Sequence, residues 1–374
     1  MRYIIVTLLA IGLVPATQVA WAQGQGSQDL RIYVVDVEGG GAALFVAPSG
    51  ETLLIDTGNA GEAAKRDVDR IMEAVKDAGV TKIDHLITTH YHGDHVGGVV
   101  EMASRLPIAH YIDHGANIQL PAAPILAEYE KLWAKAKHTV AKPGDRIPIA
   151  GLDITVVASA GQVIAKPLRG AGQPNPYCAN TKPIDPDVTE NGQSVAISLG
   201  FGRFKVAHLG DLTWNGELSL MCPSNKFGTA DLFMVSHHSQ QRPAAMSNSE
   251  PLVYGLRPRV SISTNGVRKG AQAAAMKILL SSPGLEDLWQ LHASQFSGQE
   301  YTAPGLFIAN RFEDETSLPL APLSFQSPSP GDPPIPPHNG KAYYLKITAK
   351  QDGSFTILNT RNGFTKTYAA TRGN

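Results

Sequence analysis

The chain has 374 residues, 43% of them apolar and 17% charged, with a formal net charge of −1. That composition describes a globular protein with a sizeable core, in one large domain or two of ordinary size. It excludes bulk electrostatic affinity for nucleic acid or anionic membranes, while leaving room for a local basic patch beside a site.

At the amino terminus, Arg2 precedes an apolar run from Ile4 to Val14, and Ala20-Trp21-Ala22 supplies small residues before a cleavage point. This pattern predicts a secretory signal peptide over residues 1–22. The run is too short to span a bilayer comfortably. The mature chain would then begin at Gln23 in the periplasm or outside the cell, with no membrane span remaining. In such an oxidising compartment Cys178 and Cys222 read as a disulfide pair, the alternative being two buried free thiols.

Three short apolar strands follow, Arg31–Val37, Ala42–Ala47 and Thr52–Ile55, with Gly39-Gly40-Gly41 and Pro48-Ser49-Gly50 as turn material. From Glu62 to Ala78 the residues Ala63, Val68, Ile71, Met72 and Val75 recur at helical spacing, and Gly79 stops the helix. Ile83 to Thr89 is apolar and β-branched and reads as a buried strand, followed by a helix from about Val96 to Leu106. A second half is β-rich, with strands near Asp153–Ala158, Ser194–Leu199, Lys205–His208, Leu232–Val235 and Val260–Ser263. Helices are expected near Ala122–Lys137 and Ala271–Leu280, and the Gly- and Pro-rich stretch Ser159–Glu190 is either a binding loop or a solvated insertion.

Eight prolines between Pro319 and Pro337 exclude helix and central strand, so residues 311–340 form an extended linker or strap. Beyond it, Ala342–Thr348 and Ser354–Asn359 predict a hairpin around Asp352-Gly353. Residues 341–374 are too few to fold alone and must pack on the main domain, 23–310.

The chemistry concentrates in His90-Tyr91-His92-Gly93-Asp94-His95, four potential metal ligands in six residues. Neither a core nor a turn asks for three imidazoles and a carboxylate together; the bland readings are a solvated loop or a helix cap by Asp94. In extended chain His90 and His92 project the same way and can hold one metal. Gly93 permits a bend, after which Asp94 and His95 open a helix and face a second position. Nitrogen and carboxylate ligands without cysteine suit zinc, manganese or iron. Further on, His208-Leu209-Gly210-Asp211 ends a strand and places Asp211 either as a bridging carboxylate or as a turn residue. Asp231 to Ser239 is a strand running into the pair His237-His238.

The ordered set Asp56-Thr57-Gly58, His90 to His95, Gly210-Asp211 and His237-His238-Ser239 resembles the metallo-β-lactamase superfamily over roughly Arg31 to Asn310. Through Asn191-Gly192-Gln193-Ser194 and His237-His238-Ser239-Gln240 it resembles more closely the ComEC-type domain of DNA-uptake proteins. Ser239 stands where that group carries the glycine of H-H-G-S. The resemblance implies an α/β (α+β) fold, an αββα sandwich, with two divalent metals, zinc foremost and manganese or iron next, at one edge. It implies His90 and His92 on the first metal, Asp94, His95 and His237 on the second, and Asp211 bridging them. His238 would orient a ligand or act on the leaving group, forming the catalytic set with Asp94, while Asp56 would fix the tautomer of a ligating imidazole. Most two-metal members carry another histidine before the bridging aspartate. None occurs here from Thr139 to Ala207, a gap that ComEC-type members share, which leaves Asn191 or water to complete the first metal.

His114 and His138 read as surface residues. Arg242, Arg268 and Lys269 are either phosphate contacts or surface charge, and His292 is open in the same way. The implied function is a secreted metal-dependent hydrolase that uses a metal-bound hydroxide on a phosphodiester or other small-molecule substrate. The alternatives are hydrolysis of a β-lactam or lactone, or a non-catalytic binding module on the same scaffold.

Overall fold

The structure is a computed structural model that describes residues 28–371, apart from 120–123, 243–244, 313–317, 325, 327–329, 333–334, 336–337 and 339–340. The expected signal peptide, 1–22, lies outside the described residues.

Two mixed sheets face each other. In the first, the strands run in the spatial order Thr365–Tyr368, Phe355–Asn359, Leu345–Ala349, Leu30–Val34, Ala43–Val46, Thr52–Ile55, His85–Ile87, His110–Asp113 and Lys137–Val140. In the second the order is Ile308–Asn310, Asp287–His292, Val260–Ser263, Leu232–Met234, Phe204–His208, Ala196–Phe201, Asp153–Ser159 and Arg146–Ile147. Alternation along each strand builds the layers. Leu30, Ile32 and Val34 enter the core between the sheets with Val156, Ile197, Leu199 and Trp289. Tyr33 and Val35 point the other way, onto Val68, Ile71 and Val75 of the helix Ala63–Ala78. The outer face of the second sheet, with Ala207 and Phe233, is covered by Leu220, Leu252 and Met276 from three further helices. The result is the four-layered αββα sandwich.

Three features differ from the sequence expectation. The helix expected over Val96–Leu106 is two pieces, Gly93–Val96 and Val99–Arg105. Gly97 and Gly98 lie between them, and a Cβ on either would come within 2.1 Å of the backbone of Ala60 or Thr57. Only glycine lets the helix press on the loop that carries Asp56. Second, Lys137 belongs to an edge strand, because the preceding helix stops at Trp133. Third, the C-terminal hairpin gains a strand, Thr365–Tyr368, and all three extend the first sheet. Ile347 pairs opposite Ile32, and Tyr368 accepts a hydrogen bond from Trp289 Nε1 at 2.9 Å. The C-terminal strands thus cover an edge that the strand Leu30–Val34 would otherwise expose.

Cys178 and Cys222 are joined as a disulfide, tying the long stretch after Ser159 to the end of the helix Trp214–Met221. No helix among the described residues is long and apolar enough to cross a membrane.

Candidate metal centre

Parallel strands point their carboxyl ends at one rim of the sandwich, where ligands of open α/β sheets gather. Asp56 follows Thr52–Ile55, the His90–His95 run follows His85–Ile87, Asp211 follows Phe204–His208, and His237 follows Leu232–Met234. The loops bind one another through backbone: Thr57 N–H donates to His95 O at 2.8 Å, and His237 N–H to Gly210 O at 3.1 Å.

The side chains converge on Asp211 Oδ2. His95 Nε2 lies 3.2 Å and His238 Nε2 3.4 Å from it, and Asp94 Oδ2 lies 3.3 Å from the first and 3.4 Å from the second. His237 Nε2 at 3.6 Å and His90 Nε2 at 3.8 Å stand slightly farther off, with His92 Nδ1 3.1 Å from His90 Nε2. Asp94, His95, Asp211 and His238 form one compact ligand group.

Outer partners fix which ring nitrogen faces inward. Asp56 Oδ2 lies 2.7 Å from His95 Nδ1, and Asp56 accepts from the Thr89 amide and hydroxyl, each at 2.7 Å. Thr89 Oγ1 is 3.1 Å from His90 Nδ1, Gln119 Oε1 3.0 Å from His92 Nε2, and Thr264 Oγ1 3.0 Å from His238 Nδ1. With those nitrogens occupied, His90 Nε2, His92 Nδ1, His95 Nε2 and His238 Nε2 are presented to the centre.

The electrostatics divide the imidazoles: at His95 and His238 burial is outweighed by Asp211, which raises both above the ordinary value, so a cation there would displace protons. Burial, with His95 beside it, pushes the His90 pKa well below its ordinary value, and burial pushes His237 down to about 4. Burial would raise Asp211, but His238 and His95 outweigh it and hold the carboxyl well below the usual range. Asp94 is likewise held down, against burial, by Lys269 and His95. Neutral imidazoles and ionised carboxylates are the forms that bind metal. His237 Nδ1 and Asn191 Oδ1 are buried without a hydrogen-bond partner, and Asn191 Nδ2 sits 3.5 Å from His237 Nε2. The nitrogen and oxygen donor set fits divalent cations of the zinc type, which Asp94, His95, Asp211 and His238 would hold with His90, His92 and His237 close by.

Two placements correct the sequence reading. First, His238, expected to orient a ligand or act on the leaving group, stands with Asp94, His95 and Asp211 in the place expected of His237, which lies outside that group of four with its Nε2 3.6 Å from Asp211 Oδ2. The cause is backbone: His237, His238 and Ser239 have φ of 50°, 53° and 66°, and these successive left-handed residues turn the two rings apart, to 6.2 Å between centroids. Ser239 thus takes the conformation that a glycine would adopt at no steric cost. Gly270 makes room for the turn, since a Cβ there would lie 2.0 Å from His238 O. Second, His114 is buried, with Nε2 2.8 Å from Glu190 Oε2, and His138 pairs with Asp113 at 2.8 Å. Neither reaches the centre.

Of the basic candidates, Lys269 ion-pairs with Asp94 and Arg268 Nε donates to Gln295 Oε1 at 2.5 Å. The Arg242 side chain falls outside the described residues. Thr89, Gln119, Glu190 and Thr264 went unread in the sequence. Thr89 and Thr264, each next to a strand end that carries a motif, had a positional signal; Gln119 and Glu190 had none.

Residues 36–147 match the family model "Metallo-beta-lactamase superfamily". That stretch holds Asp56 and the whole His90–His95 run, while Asp211, His237 and His238 lie beyond it. The chain is 27% identical to a hydroxyacylglutathione hydrolase of Erwinia tasmaniensis over 135 residues, 36% of this chain and 43% of that protein. It is 31% identical to the lactamase-like protein notP of an Aspergillus species over 112 residues, 29% of this chain and 34% of that protein. These matches therefore span less than half the length of the curated relatives. Among solved structures it is similar to the metallo-beta-lactamase fold protein YhfI of Bacillus subtilis, at 12% identity and a TM-score of 0.45, covering 70% of this chain and 95% of that one. Over residues 36–147 the chain is thus similar to the metallo-β-lactamase superfamily, a superfamily of metal-dependent hydrolases.

Proposed function

We propose that the protein is a secreted or periplasmic metal-dependent hydrolase of phosphoric ester bonds, phosphodiesters foremost, of the ComEC-like kind. The observation that carries this reading is the convergence of histidine and aspartate donors on Asp211, with Lys269 seated on Asp94. Divalent cations bound there, zinc foremost, would polarise a phosphoryl oxygen and lower the pKa of water toward neutrality. The chain's own groups do the rest. Asp56, Thr89 and Thr264 hold the ring nitrogens inward. Lys269, partly exposed at the rim, supplies an ammonium that can pass from Asp94 to an anionic oxygen of the substrate. Asn191 beside His237 and the histidine-free stretch before Asp211 support the ComEC-like reading.

Bis-p-nitrophenyl phosphate turnover by zinc- or manganese-loaded protein tests the substrate class; metal-loaded protein inert on every phosphoester would sink it. A second reading, attack at an acyl carbon as in esters, lactones or β-lactams, is favoured by the name of the hydroxyacylglutathione hydrolase relative. Nitrocefin and an acyl thioester in the same assay separate the two.

Export is supported by the disulfide, since such bonds persist in oxidising compartments. Amino-terminal sequencing of protein from the periplasmic fraction should begin at Gln23, and recovery only from the cytosol with residues 1–22 attached would overturn export.

A further inference from the structure

Away from the centre just described, four more potential ligands converge. Asp36 and Glu38 stand in the turn after Leu30–Val34, His292 closes the strand Asp287–His292, and His338 belongs to the proline-rich strap. One donor atom of each lies within 4.8 Å of one donor atom of every other. His338 Nδ1 is 2.6 Å from Glu38 Oε1 and 3.7 Å from Asp36 Oδ2. The rings of His292 and His338 meet at 5.0 Å between centroids.

Two atoms of this cluster are left over. Asp36 Oδ2 and His292 Nε2 are buried and lack a hydrogen-bond partner, in residues only 0% and 1% exposed. His292 Nδ1 lies 2.8 Å from the Ala293 carbonyl and must donate to it, so Nε2 carries the lone pair. Both orphans are therefore acceptors, and buried unsatisfied acceptors are rare. With Asp36 ionised they cannot satisfy each other; they need a donor or a cation between them. Arg70 supplies one positive charge, reaching Glu38 Oε1 at 2.8 Å, Asp36 O at 3.2 Å and His338 O at 2.8 Å. That charge balances one carboxylate of two; against burial, Glu38 raises the His338 pKa, so the second is balanced only while His338 holds an extra proton or a cation takes that proton's place.

We propose that Asp36, Glu38, His292 and His338 form a third divalent-cation site, distinct from the centre at Asp211 and independent of its proposed chemistry. Two imidazoles and two carboxylates suit zinc, whose tetrahedral bonds of about 2.0–2.2 Å space neighbouring donors by roughly 3.3 Å. The observed separations of 2.6 and 3.7 Å bracket that figure. Four protein ligands leave no open position, which is the mark of a structural site. Here the cation would clip the strap to the loop from Asp36 to Gly41. The same loop donates Gly41 N–H to Asp94 O at 3.0 Å, so its order bears on the neighbouring centre.

The test counts metal in full-length protein that has been loaded with zinc and freed of excess. Wild type should hold one more ion per chain than the double variant H292Q/H338Q. A variant with the other centre removed, H95A/D211A, should keep one ion, and zinc should raise its melting midpoint. Adding H338Q should abolish both effects. Should H292Q/H338Q not fold, H338Q alone decides, because His338 lies on the strap: it should surrender one ion to chelator about tenfold or more sooner than wild type. Equal zinc content and equal chelator resistance in wild type and these variants would overturn the site, as would an H95A/D211A protein, folded by circular dichroism, that binds no zinc. Failure of the other centre looks different: an ion that survives H95A/D211A and vanishes with H338Q.

Discussion

His95 Nε2 and His238 Nε2 face each other at 3.2 Å, brought together from 143 residues apart. Each ring has its far nitrogen engaged, His95 by Asp56 and His238 by Thr264. Two inward nitrogens at that spacing, with oxygens of Asp94 and Asp211 at 3.2 to 3.4 Å, suit ligands that share one cation. The neighbour in sequence, His237, stands outside that group of four, with Nε2 3.6 Å from Asp211 Oδ2, and is expected to serve the His90/His92 side.

That division predicts which ion each histidine loses. H237A and H238A should each lower the metal content by about one ion relative to wild type. Combined with H92A, the outcomes part: H92A/H237A should hold as much metal as H92A alone, whereas H92A/H238A should lose both ions of this centre. Metal counting by mass spectrometry decides, and the reverse pattern would restore His237 to the Asp94/His95 side.

Asp56 contributes through His95 without reaching the cations. D56N keeps the side-chain shape but replaces an acceptor oxygen facing His95 and Thr89, so metal affinity should fall about 10- to 100-fold. Chelator competition measures this, with an unchanged circular dichroism spectrum as the control. Undiminished affinity would mean that the 2.7 Å contact does not set the tautomer.

The disulfide links residues 44 apart in sequence. Restricting the unfolded chain over such a loop stabilises the fold by about 3–4 kcal/mol on the chain-entropy account. C178S/C222S should therefore unfold at lower denaturant, by that order of free energy. A change below about 1 kcal/mol would show that the stretch after Ser159 is held by its packing.

Glu217 gives stability a pH dependence. Its carboxylate is buried, and burial raises its pKa to about 7 against the pull of the Ser249 and Asn248 amides, which donate at 2.8 and 2.6 Å. A folded-state pKa above the unfolded value means that folding favours the protonated form. This contribution is fully present below about 4.5 and is lost as pH rises to about 7. E217Q, which cannot ionise, should gain on wild type across that window and hold a constant difference above it. Urea denaturation of both proteins at pH 5, 6 and 7.5 reads the difference; a gap that does not change with pH would refute the shift.

Much of the fold was legible because its signals are local. Strand alternation at Leu30–Val34, Thr52–Ile55 and Val260–Ser263, and helical spacing to Gly79, are written within a few residues. What was missed lacked such a signal. His110–Asp113 and Lys137–Val140 are short, and the latter is a half-exposed edge strand whose first residue follows a helical pattern. His114 looked like a surface residue because its partner, Glu190, is 76 positions away.

By itself the amino-acid order determined the layers and the inventory of candidate ligands, since burial periodicity and a dense run of imidazoles and carboxylate survive in one dimension. Which ligand faces which was decided by tertiary structure. Three consecutive left-handed residues turn His237 and His238 apart, and loop-to-loop hydrogen bonds carry Asp211 between them. The four residues from Asp36 to His338 are scattered over the chain and become neighbours only when His292 at a strand end and His338 are brought to the turn after Leu30–Val34.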